Sequence, residues 1–218
     1  MWALRKTCVR KTDSILDVGC GSGRWLEQLA EVGYKNLYGI DKFADNMPIN
    51  TYEYRKGDLS VAPKKKYDII TFHHSFEHMD NPMMILQNIK SLLKDTGICI
   101  IRIPIFGKEM WKLYGTNWYQ IDAPRHLFIY SEKAIKYLCN KTGLKIVRII
   151  YDSDWEQIWY SQGYKNTKKS LYELAEEGIL LSRKNWMQNK ALELNKLGEG
   201  DQAIIYIKKI NTDRPALI

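Results

Sequence analysis

The chain has 218 residues, of which 45% are hydrophobic and 27% are charged, a composition typical of one globular domain with a sizeable core. Its longest apolar runs, such as GICIIRIPIF, are too short to cross a bilayer, and no sustained apolar segment follows the basic N-terminal residues. We therefore expect neither a membrane span nor a cleaved signal peptide. The formal net charge of +8 can attract nucleic acid or phosphorylated ligands, but the lysines and arginines are scattered, which favours an ordinary solvated surface.

The four cysteines lie far apart and form no C-x-x-C pair. This spacing argues against a disulfide framework and against a cysteine-rich zinc site. It is typical of proteins in a reducing cytoplasm, which is where we expect this chain to act. The four positions are Cys8, Cys20, Cys99 and Cys139.

Seven short apolar runs predict the strands of a sheet. In chain order they read SILDVG, NLYGID, YEYRKGD, YDIITF, ICIIRIPI, LKIVRIIY and QAIIYIKKI. Helical patterns lie between them: one runs from Gly23 to Gly33, a second occupies residues 80–97, and a third runs from Ser131 to Asn140. This alternation predicts an open α/β sheet with helices on both faces.

The second predicted helix has the clearest signals at both of its ends. Asp80 or Asn81 can cap its first turn, and Pro82 suits the first helical position. Gly97 is expected to follow its end, since glycine commonly terminates helices. Its apolar stripe consists of Ile85, Leu86, Ile89, Leu92 and Leu93.

Two stretches lack a strand pattern. Residues 106–130 are predicted to form a long loop rich in aromatic side chains. Residues 151–200 are rich in Trp and Tyr and are mostly helical in pattern. We interpret this second stretch as a helical insertion or cap that precedes the last strand, so that residues 1–218 form a single domain.

The segment ILDVGCGSGRW joins the first predicted strand to the first helix and is the most informative part of the sequence. Gly19, Gly21 and Gly23 allow a sharp turn and a close approach of a ligand to the backbone. In open α/β sheets this first turn is where ligands bind. The spacing is G-x-G-x-G, with Arg24 where the dinucleotide fingerprint has glycine or alanine, so the pattern disfavours an NAD-dependent enzyme.

Three carboxylates follow predicted strands and indicate the chemistry of the ligand. Asp17, at the end of the first strand, would repel a pyrophosphate and attract an ammonium group. Asp41, at the end of the second strand, can accept hydrogen bonds from both ribose hydroxyls. Asp58, at the end of the third strand, can accept one from an adenine amino group. S-adenosylmethionine carries these groups and no phosphate, and therefore fits all three positions.

The ordered series DVGCGSG, GID, GDL and YDIITFHHSFEHMDNP resembles the class I S-adenosylmethionine-dependent methyltransferases. The chain is most similar to the branch that includes ubiquinone-biosynthesis-type O-methyltransferases and the methyltransferases of surface-polysaccharide clusters, and DAPRHLFIYS resembles a further hallmark of that branch. The resemblance covers most of residues 13–150 and the final strand. It implies a Rossmann-like, mostly parallel sheet of seven strands with an antiparallel last strand, and S-adenosylmethionine as the cofactor.

Matched motif by motif, the resemblance also implies roles for individual residues. The glycine turn would face the methionine part of the cofactor and Asp41 the ribose, and the adjacent Lys42 would also bind the cofactor. Asp58 and Leu59 would flank the adenine, and His73 would contact the cofactor mainly through its backbone. The residues implied to act in the turn are Asp17, Gly19, Cys20, Gly21 and Gly23.

Three of the four histidines lie in the window HHSFEHMDNP. His74, Glu77 and His78 spell H-x-x-E-H, a metallopeptidase pattern that requires both histidines on one face of a helix. Helix signals begin only at residues 80–82, so we expect a loop or a single turn here and disfavour a peptidase. The related branch usually reads E-V-L-E-H, so His74 occupies the place of its first acid.

Three roles stay open for this window. Glu77 and His78 can simply orient the loop, since a carboxylate commonly fixes the tautomer of a neighbouring histidine. His74 can line the substrate pocket and act as a general base. His74, Glu77 and His78 can also share a divalent metal ion that binds the substrate. The sequence does not decide among these roles, and no metal ligand is assigned.

The fourth histidine lies in the segment DAPRH, after the fifth strand, where a loop overhangs the same crevice. Arg125 suits a carboxylate or phosphate, and His126 suits proton transfer from a hydroxyl or an amine. Asp122 and Arg125 can instead form a salt bridge that only shapes the loop. We predict His126, His74 and Arg125 as the catalytic residues.

The predicted reaction is methyl transfer from S-adenosylmethionine to a small acceptor, by in-line displacement at the methyl carbon. A sugar or nucleotide-sugar hydroxyl or amine is the expected acceptor. Trp111, Trp118 and Tyr119 can line its site or belong to the core. The basic charge leaves an RNA methyltransferase as an alternative, although the chain has no N/D-P-P-Y/F or Pro-Cys motif. A non-catalytic protein that only binds the cofactor is a second alternative, and the oligomeric state stays open.

Overall fold

The computed structural model describes residue 4 and residues 7–44, 51–167 and 181–210. The strands of its sheet are β1 (Ser14–Val18), β2 (Asn36–Asp41), β3 (Glu53–Lys56), β4 (Tyr67–His73), β5 (Leu93–Pro104), β6 (Leu144–Tyr151) and β7 (Gln202–Lys209). The α-helices of the described ranges are α1 (Arg24–Glu31), α2 (Pro82–Leu92), α3 (Glu109–Tyr114), α4 (Glu132–Lys141), α5 (Trp155–Thr167) and α6 (Leu181–Leu197). All seven predicted strands and all three predicted helices are present.

The sheet has the strand order β3-β2-β1-β4-β5-β7-β6. Neighbouring strands from β3 to β5 pair in parallel, whereas β7 runs antiparallel to both β5 and β6. The expectation of a mostly parallel seven-strand sheet with an antiparallel last strand is therefore confirmed. Strand order reverses beside β1, which lies between β2 and β4, so the carboxyl ends of these three strands border one crevice.

Apolar side chains cover both faces of the central strands, which explains why these strands read as continuous apolar runs. All five residues of β1 are buried. On one face, Leu26 and Leu29 of α1 pack in one cluster with Ile15 and Ile69. On the other face, Phe72 shares a cluster with side chains of α2 and α4. Each such buried side chain stabilises the fold by about 1.5–3 kcal/mol, so this core fixes the strand ends that carry the site.

The second helix ends earlier than predicted. α2 stops at Leu92, and Leu93 begins β5 with an extended backbone at ψ 140°. Leu93 is fully buried and pairs with Tyr67 of β4. The prediction that the helix continues to Gly97 is wrong. Leu93 fits the apolar stripe of the helix, but its pairing with β4 and its burial in the sheet stabilise a strand at this position more than a further helical turn would.

Residues 106–130 are not a featureless loop, contrary to the prediction. The segment contains α3 and two short 3-10 turns, Gly115–Asn117 and Tyr119–Ile121. Met110 and Trp118 are buried in a third apolar cluster together with side chains of α5 and α6. This packing supplies the apolar contacts that fold an aromatic-rich stretch into helical turns.

Residues 151–200 are helical in α5 and α6, as the sequence pattern indicates. The intervening residues 168–180 lie outside the described part of the chain. The assignment of this stretch as an insertion or cap within one domain stays a prediction. Among the described helices, none combines the length and the apolar character that a membrane crossing requires.

Candidate active site

Backbone hydrogen bonds hold the glycine turn against β2. The N–H groups of Gly19 and Cys20 donate to the carbonyl of Ile40 at 2.8 and 3.1 Å, and the N–H of Gly23 donates to the carbonyl of Cys20 at 2.9 Å. Gly19 has a φ of 73°, and a Cβ at this position would lie 2.4 Å from Cβ of Ser75. Only glycine fits there, and the turn therefore packs directly against the segment that follows β4.

The next two residues of the turn differ in their surroundings. Burial, followed by the charges of Asp17 and Asp41, raises the pKa of the Cys20 thiol to about 12, so the thiol stays protonated and unreactive near neutral pH. Gly21 is exposed, has a φ of 54°, and a Cβ there would meet no atom within 4 Å. A ligand can thus approach the backbone at Gly21 without displacing a side chain.

Asp17 is buried beneath the turn, with only 2% of its surface exposed. Its Oδ1 accepts a hydrogen bond from Oγ1 of Thr71 on β4 at 2.7 Å. Burial raises the pKa of this carboxyl to about 7, while the bond from Thr71 opposes the rise and the charge of Asp41 adds to it. A cation bound nearby would lower this pKa, so the predicted ammonium partner would favour the ionised form.

Asp41 links the end of β2 to the glycine turn. Its Oδ2 accepts a hydrogen bond from the N–H of Gly21 at 2.8 Å, and its Oδ1 accepts bonds from the N–H groups of Phe43 and Ala44 at 2.8 and 3.0 Å. A carboxylate offers about four acceptor positions, so these three bonds leave capacity for a ribose hydroxyl. The structure brings Asp41 to the turn, and its contact with a ribose stays a prediction.

Asp58 follows β3 and caps a short 3-10 turn at Leu59–Val61. Its Oδ1 accepts hydrogen bonds from the N–H and the hydroxyl of Ser60 at 2.8 and 2.6 Å, and these bonds lower the pKa of the Asp58 carboxyl. Leu59 is buried and Lys42 is exposed. The adenine contacts of Asp58 and Leu59 and the cofactor contact of Lys42 stay predictions.

His73 lies in the same crevice, at the end of β4. Its ring centroid lies 4.6 Å from that of Trp25 on α1. Burial, followed by the positive charge of Arg102, lowers the pKa of His73 to about 3, so its ring is neutral. The Nε2 atom is buried and has no hydrogen-bond partner among the residues that the structure describes. This ring can therefore offer one polar contact to a ligand at the turn.

Residues 74–81 of the histidine window contain no α-helix. His74 has a left-handed backbone with a φ of 51°, and Phe76–His78 form a single 3-10 turn. The expectation of a loop or a single turn is confirmed. The H-x-x-E-H pattern therefore lacks the helix on which a metallopeptidase of that type depends.

The histidine window and the DAPRH loop are joined through their backbones. The N–H groups of Leu127 and Phe128 donate to the carbonyl of Glu77 at 2.9 and 3.2 Å. Nδ1 of His78 lies 2.8 Å from the carbonyl oxygen of Arg125. Two segments that are far apart in the sequence thus form one rigid wall, as their common position beyond the strand ends predicts.

A cavity of about 340 Å³ opens between this wall and the start of α5. We call it the histidine pocket. Its lining is strongly polar and includes three histidines, three glutamines and Tyr119. The charged side chains that line it are Arg102, Arg125, Asp122, Asp154 and Glu156.

The structure distinguishes the two histidines predicted to be catalytic. Nε2 of His74 lies 2.9 Å from Nη1 of Arg102, and a guanidinium can only donate, so this Nε2 is an acceptor. Nδ1 of His126 lies 2.8 Å from the carbonyl oxygen of Gln120, so this Nδ1 donates and the lone pair lies on Nε2. Burial lowers the pKa of His126, which keeps its ring neutral. The Nε2 lone pair of His126 is therefore available to a ligand, whereas the Nε2 lone pair of His74 already accepts a hydrogen bond from Arg102.

Arg125 forms the salt bridge that the sequence leaves as the alternative to a catalytic role. Its Nε and Nη2 lie 3.1 and 2.7 Å from Oδ1 of Asp122. Its side chain is 65% exposed, so the pair stabilises the loop by about 1 kcal/mol or less. A contact between Arg125 and the acceptor stays a prediction.

The sequence pattern does not single out Arg102 and Asp152 as site residues. Arg102 lies within the apolar strand β5, and its Nε lies 2.6 Å from Oδ2 of Asp152, which follows β6. A lone arginine inside an apolar strand was the available signal, because a buried charge needs a partner. That partner lies 50 positions further along the chain, so only the strand order reveals it.

The three aromatic residues considered for the acceptor site separate into two groups. Tyr119 lines the histidine pocket. Trp118 is 1% exposed and donates from Nε1 to Oδ2 of Asp201 at 2.6 Å. Trp111 packs in the same apolar cluster as Trp118, with its ring 4.6 Å from that of Phe106. The two tryptophans are therefore core residues, and only Tyr119 is placed to meet an acceptor.

Comparison with known sequences identifies related proteins. A family model described as a methyltransferase domain matches residues 4–149. Among curated proteins, the chain is similar to a ubiquinone biosynthesis O-methyltransferase of Actinobacillus pleuropneumoniae, with 31% identity over 100 residues that cover 38% of this chain and 42% of the relative. A protein of the same name from Pelagibacter ubique is 26% identical over 170 residues, which cover 67% of this chain and 70% of the relative. The chain thus spans less than half of the Actinobacillus protein.

Comparison with solved structures gives the same fold. An O-methyltransferase of Brevibacillus brevis, solved with S-adenosyl-L-homocysteine, has a TM-score of 0.61 and 19% identity, over 95% of this chain and 70% of that chain. A SAM-dependent methyltransferase of Archaeoglobus fulgidus has a TM-score of 0.58 and 22% identity, over 91% of this chain and 86% of that chain. Identities this low establish the shared fold and nothing more.

Proposed function

Because the chain belongs to the methyltransferase domain family, we propose that it transfers the methyl group of S-adenosylmethionine to a hydroxyl of a small polar acceptor bound in the histidine pocket. One observation carries the proposal: the glycine turn and the pocket meet at the end of β4. Gly19 of the turn packs against Ser75, and the preceding residue, His74, lines the pocket. A methyl donor at the turn and an acceptor in the pocket would therefore be neighbours.

The side chains around the turn fit S-adenosylmethionine. The backbone at Gly21 is open to a ligand, Asp41 keeps acceptor capacity for a ribose hydroxyl, and Asp17 can ionise beside an ammonium group. The buried Nε2 of His73 lacks a partner in the described ranges and can make a further polar contact. Bound there, the cofactor supplies an already activated methyl group. The residues of the turn and the pocket then have to align the acceptor oxygen with it.

The acceptor hydroxyl also has to lose its proton, and the pocket supplies a group for this step. His126 is half-buried, with 9% of its side chain exposed, and its Nε2 lies within 4 Å of the carboxylates of Glu77 and Asp122. Nε2 of His74 is instead occupied by a hydrogen bond from Arg102. His126 is therefore the histidine proposed to activate the acceptor hydroxyl, and His74 a residue that helps to shape its surroundings.

The polar lining favours a sugar or a nucleotide sugar as the acceptor. Arg102 and Arg125 can donate hydrogen bonds to phosphate or hydroxyl oxygens, and Asp154 and Glu156 can accept them from sugar hydroxyls. An apolar ring in the same place would leave such groups without partners, which costs about 1–3 kcal/mol for each buried one. The charge of the pocket thus supports a polar, hydroxyl-rich acceptor.

A phenol or catechol is the second candidate acceptor. The similar curated proteins are named ubiquinone biosynthesis O-methyltransferases, which favours an aromatic hydroxyl. Tyr119 in the pocket wall offers a ring face on which such an acceptor could stack. The two candidates differ in polarity, so one acceptor panel separates them.

The test is transfer of a labelled methyl group from S-adenosylmethionine to nucleotide sugars, free sugars and catechols, with the wild type and His126→Gln. We expect label on a sugar or nucleotide sugar, and a large loss of rate in the variant. Label on catechols alone would establish the second candidate instead. A protein that binds S-adenosylhomocysteine but labels no acceptor in the panel would contradict the proposed activity and support a protein that only binds the cofactor.

A further inference from the structure

The excess positive charge of the chain gathers at one end of the sheet. β1, β2, β4, β5 and β6 begin at this end, and β7 ends there because it runs antiparallel to its two neighbours. Twelve lysines and arginines lie here against four aspartates and glutamates, a surplus equal to the net charge of +8 of the whole chain. The fold thus collects basic residues that look scattered in the sequence. We call this surface the basic end, and it consists of residues 10–14, 31–36, 63–68, 90–97, 141–145 and 208–210.

Few of these charges are neutralised locally. Nine of the twelve basic residues have no ion-pair partner within the described residues. Helix dipoles explain only two of the nine, Lys90 and Lys141, which lie in the last turns of α2 and α4. The other seven charges have no counterpart in the described structure. The other three basic residues form salt bridges within the basic end: Arg10 with Asp13, Lys94 with Asp68, and Lys209 with Asp95.

A groove of about 500 Å³ opens into this end of the molecule. Its floor includes Ile69 of β4 and Ile98 of β5, and three cationic side chains line it, those of Arg10, Arg148 and Lys208. The two carboxylates in its lining are those already engaged in the salt bridges of Arg10 and Lys94. Arg148 and Lys208 are both exposed, and neither side chain has an ion-pair partner among the residues that the structure describes. The groove therefore offers two uncompensated positive charges above an apolar floor.

We propose that the basic end binds the sugar–phosphate backbone of a nucleic acid duplex. A cluster of basic residues on one face is the electrostatic signature of such binding. Six neighbouring strands, from β2 to β6 in the sheet order, span about 24 Å at the usual strand spacing. Phosphates follow each other about every 3.4 Å along one strand of a duplex, so the basic end matches about seven base pairs. The lysines can neutralise these phosphates as flexible point charges.

The aromatic side chains at this end indicate that the contact is to the backbone and not to the bases. Stacking of bases requires free aromatic faces. Lysine ammonium groups instead lie over the rings of Tyr34, Tyr38 and Tyr137, at 4.3, 3.4 and 5.6 Å from the ring centroids. Phosphate contacts position a protein on nucleic acid but carry no sequence information. We therefore expect binding that is independent of sequence.

An anionic membrane offers similar phosphate groups, but the shape and the apolar surface of the basic end favour a nucleic acid. A flat bilayer surface does not enter a groove, whereas a phosphate backbone can lie along one. Membrane-binding surfaces also present large apolar or aromatic side chains to the lipid. The exposed Phe43 and Phe106 follow the carboxyl ends of β2 and β5, and therefore lie towards the opposite end of the molecule.

This surface is separate from the proposed methyl-transfer site. The crevice lies at the carboxyl end of β4 and the basic end at its amino end. β4 has seven residues, each rising by about 3.3 Å, so the two sites lie about 20 Å apart. A duplex bound here would dock the protein without being its methyl acceptor. The inference thus goes beyond the proposed function and does not depend on it.

The test is fluorescence anisotropy of two labelled DNA duplexes of unrelated sequence, titrated with the full chain at several KCl concentrations. We expect dissociation constants of about 1–100 µM near physiological salt, similar for both sequences. Replacing Lys64, Lys145 and Lys208 together by glutamine should weaken binding by at least about tenfold. It should also reduce the slope of log affinity against log salt by about 2.7, since each phosphate contact contributes about 0.9. All three side chains are exposed, so the triple variant should fold.

The matched control replaces Lys133, Arg183 and Lys196 by glutamine, which removes the same charge from exposed positions outside the basic end. It should bind both duplexes as the wild type does. Equal losses in the two triple variants would overturn the proposal, because net charge alone would then account for binding. Absence of duplex binding at low salt would also overturn it. In that case, sedimentation of the chain with phosphatidylglycerol vesicles would assign the basic end to a membrane instead.

Discussion

The glycine turn and the histidine pocket lie on either side of the end of β4, yet they are built in opposite ways. In the turn, the N–H groups of Gly19, Cys20 and Gly21 all donate to oxygens of β2. Beside the pocket, the buried carboxylate of Glu77 has no hydrogen-bond partner in the described parts of the chain. The backbone hydrogen bonds of the turn are thus formed when the chain folds, whereas a buried carboxylate beside the pocket is left without one. The turn thus offers a ligand a fixed backbone surface that is open at Gly21, whereas the pocket offers polar side chains.

The largest expected effect concerns the buried acid beneath the turn. The pKa of Asp17 is about 7 in the folded protein, against an ordinary value of 3.8, so the folded chain keeps a proton that the unfolded chain releases. The stabilisation is therefore fully present below the ordinary pKa and is lost as the pH rises through the folded-state pKa. The total loss is about 4 kcal/mol.

Asp17→Asn should remove this pH dependence while keeping an acceptor for Thr71. The measurement is urea unfolding of wild type and variant from about pH 4 to about pH 9. The free energy of unfolding of the wild type should fall relative to that of the variant as the pH rises. A difference that is flat over this range would show that the carboxyl is already ionised in the folded state, and that the turn is less isolated from solvent than its burial indicates.

The next effect compares two glycines of the turn. Gly19→Ala places a Cβ against Ser75 in a left-handed backbone and should lower the free energy of unfolding by about 2–4 kcal/mol. Gly21→Ala, with the same backbone requirement but no atom within 4 Å of the new Cβ, should lose only about 1–2 kcal/mol. Denaturant unfolding measures both. Equal losses would mean that the turn does not pack against the end of β4.

A smaller effect tests the support of the pocket. Asp201 is 1% exposed and accepts hydrogen bonds from Nε1 of Trp118 and Nε2 of Gln120, at 2.6 and 3.2 Å. The carbonyl of that same glutamine holds His126. The other oxygen, Oδ1, accepts from the hydroxyl of Ser153 at 2.7 Å, so the NH2 group of Asp201→Asn faces a donor in either orientation of the amide. The variant should therefore lower the free energy of unfolding by about 1–3 kcal/mol. The exposed Asp95→Asn is the control and should change the free energy of unfolding far less; similar values for the two variants would contradict the account.

The smallest effect lies just beyond the histidine window. Oδ1 of Asn81 accepts a hydrogen bond from the N–H of Met84 at 3.1 Å and caps α2, as the sequence predicts. Asn81→Ala should therefore cost about 1 kcal/mol of stability. Its thermal unfolding should shift while the rate of methyl transfer stays unchanged, because the window is held by the DAPRH loop and not by the helix. Loss of methyl transfer would show that the pocket depends on α2.

The turn could be predicted from the sequence because its chemistry is local. Asp17, Gly19, Gly21 and Gly23 lie within seven consecutive residues, and Asp41 ends the next strand. Strand, turn and helix follow each other directly along the chain. The residues that meet in space are therefore neighbours in the sequence or lie at the carboxyl ends of adjacent parallel strands. The seven-strand sheet and its antiparallel last strand followed from the resemblance of these motifs to a known family.

The pocket could be predicted only in part because its contacts join distant segments. The histidines stand out by residue type, but which nitrogen of each ring carries the proton depends on Arg102 for His74 and on Arg125 for His78, across 28 and 47 positions. The end of α2 was mispredicted for a related reason. Leu93 satisfies both the helical stripe and a buried strand position, and only the pairing with β4 decides between them.

The central claim is that the donor site and the acceptor site are separate and meet at the end of β4. The most direct test is calorimetric titration of S-adenosylhomocysteine into the wild type, Asp41→Ala and His126→Gln. The account predicts stoichiometric binding to the wild type, equal affinity in His126→Gln, and a loss of at least about tenfold, or 1.4 kcal/mol, in Asp41→Ala. No binding to the wild type, or an equal loss in both variants, would contradict it.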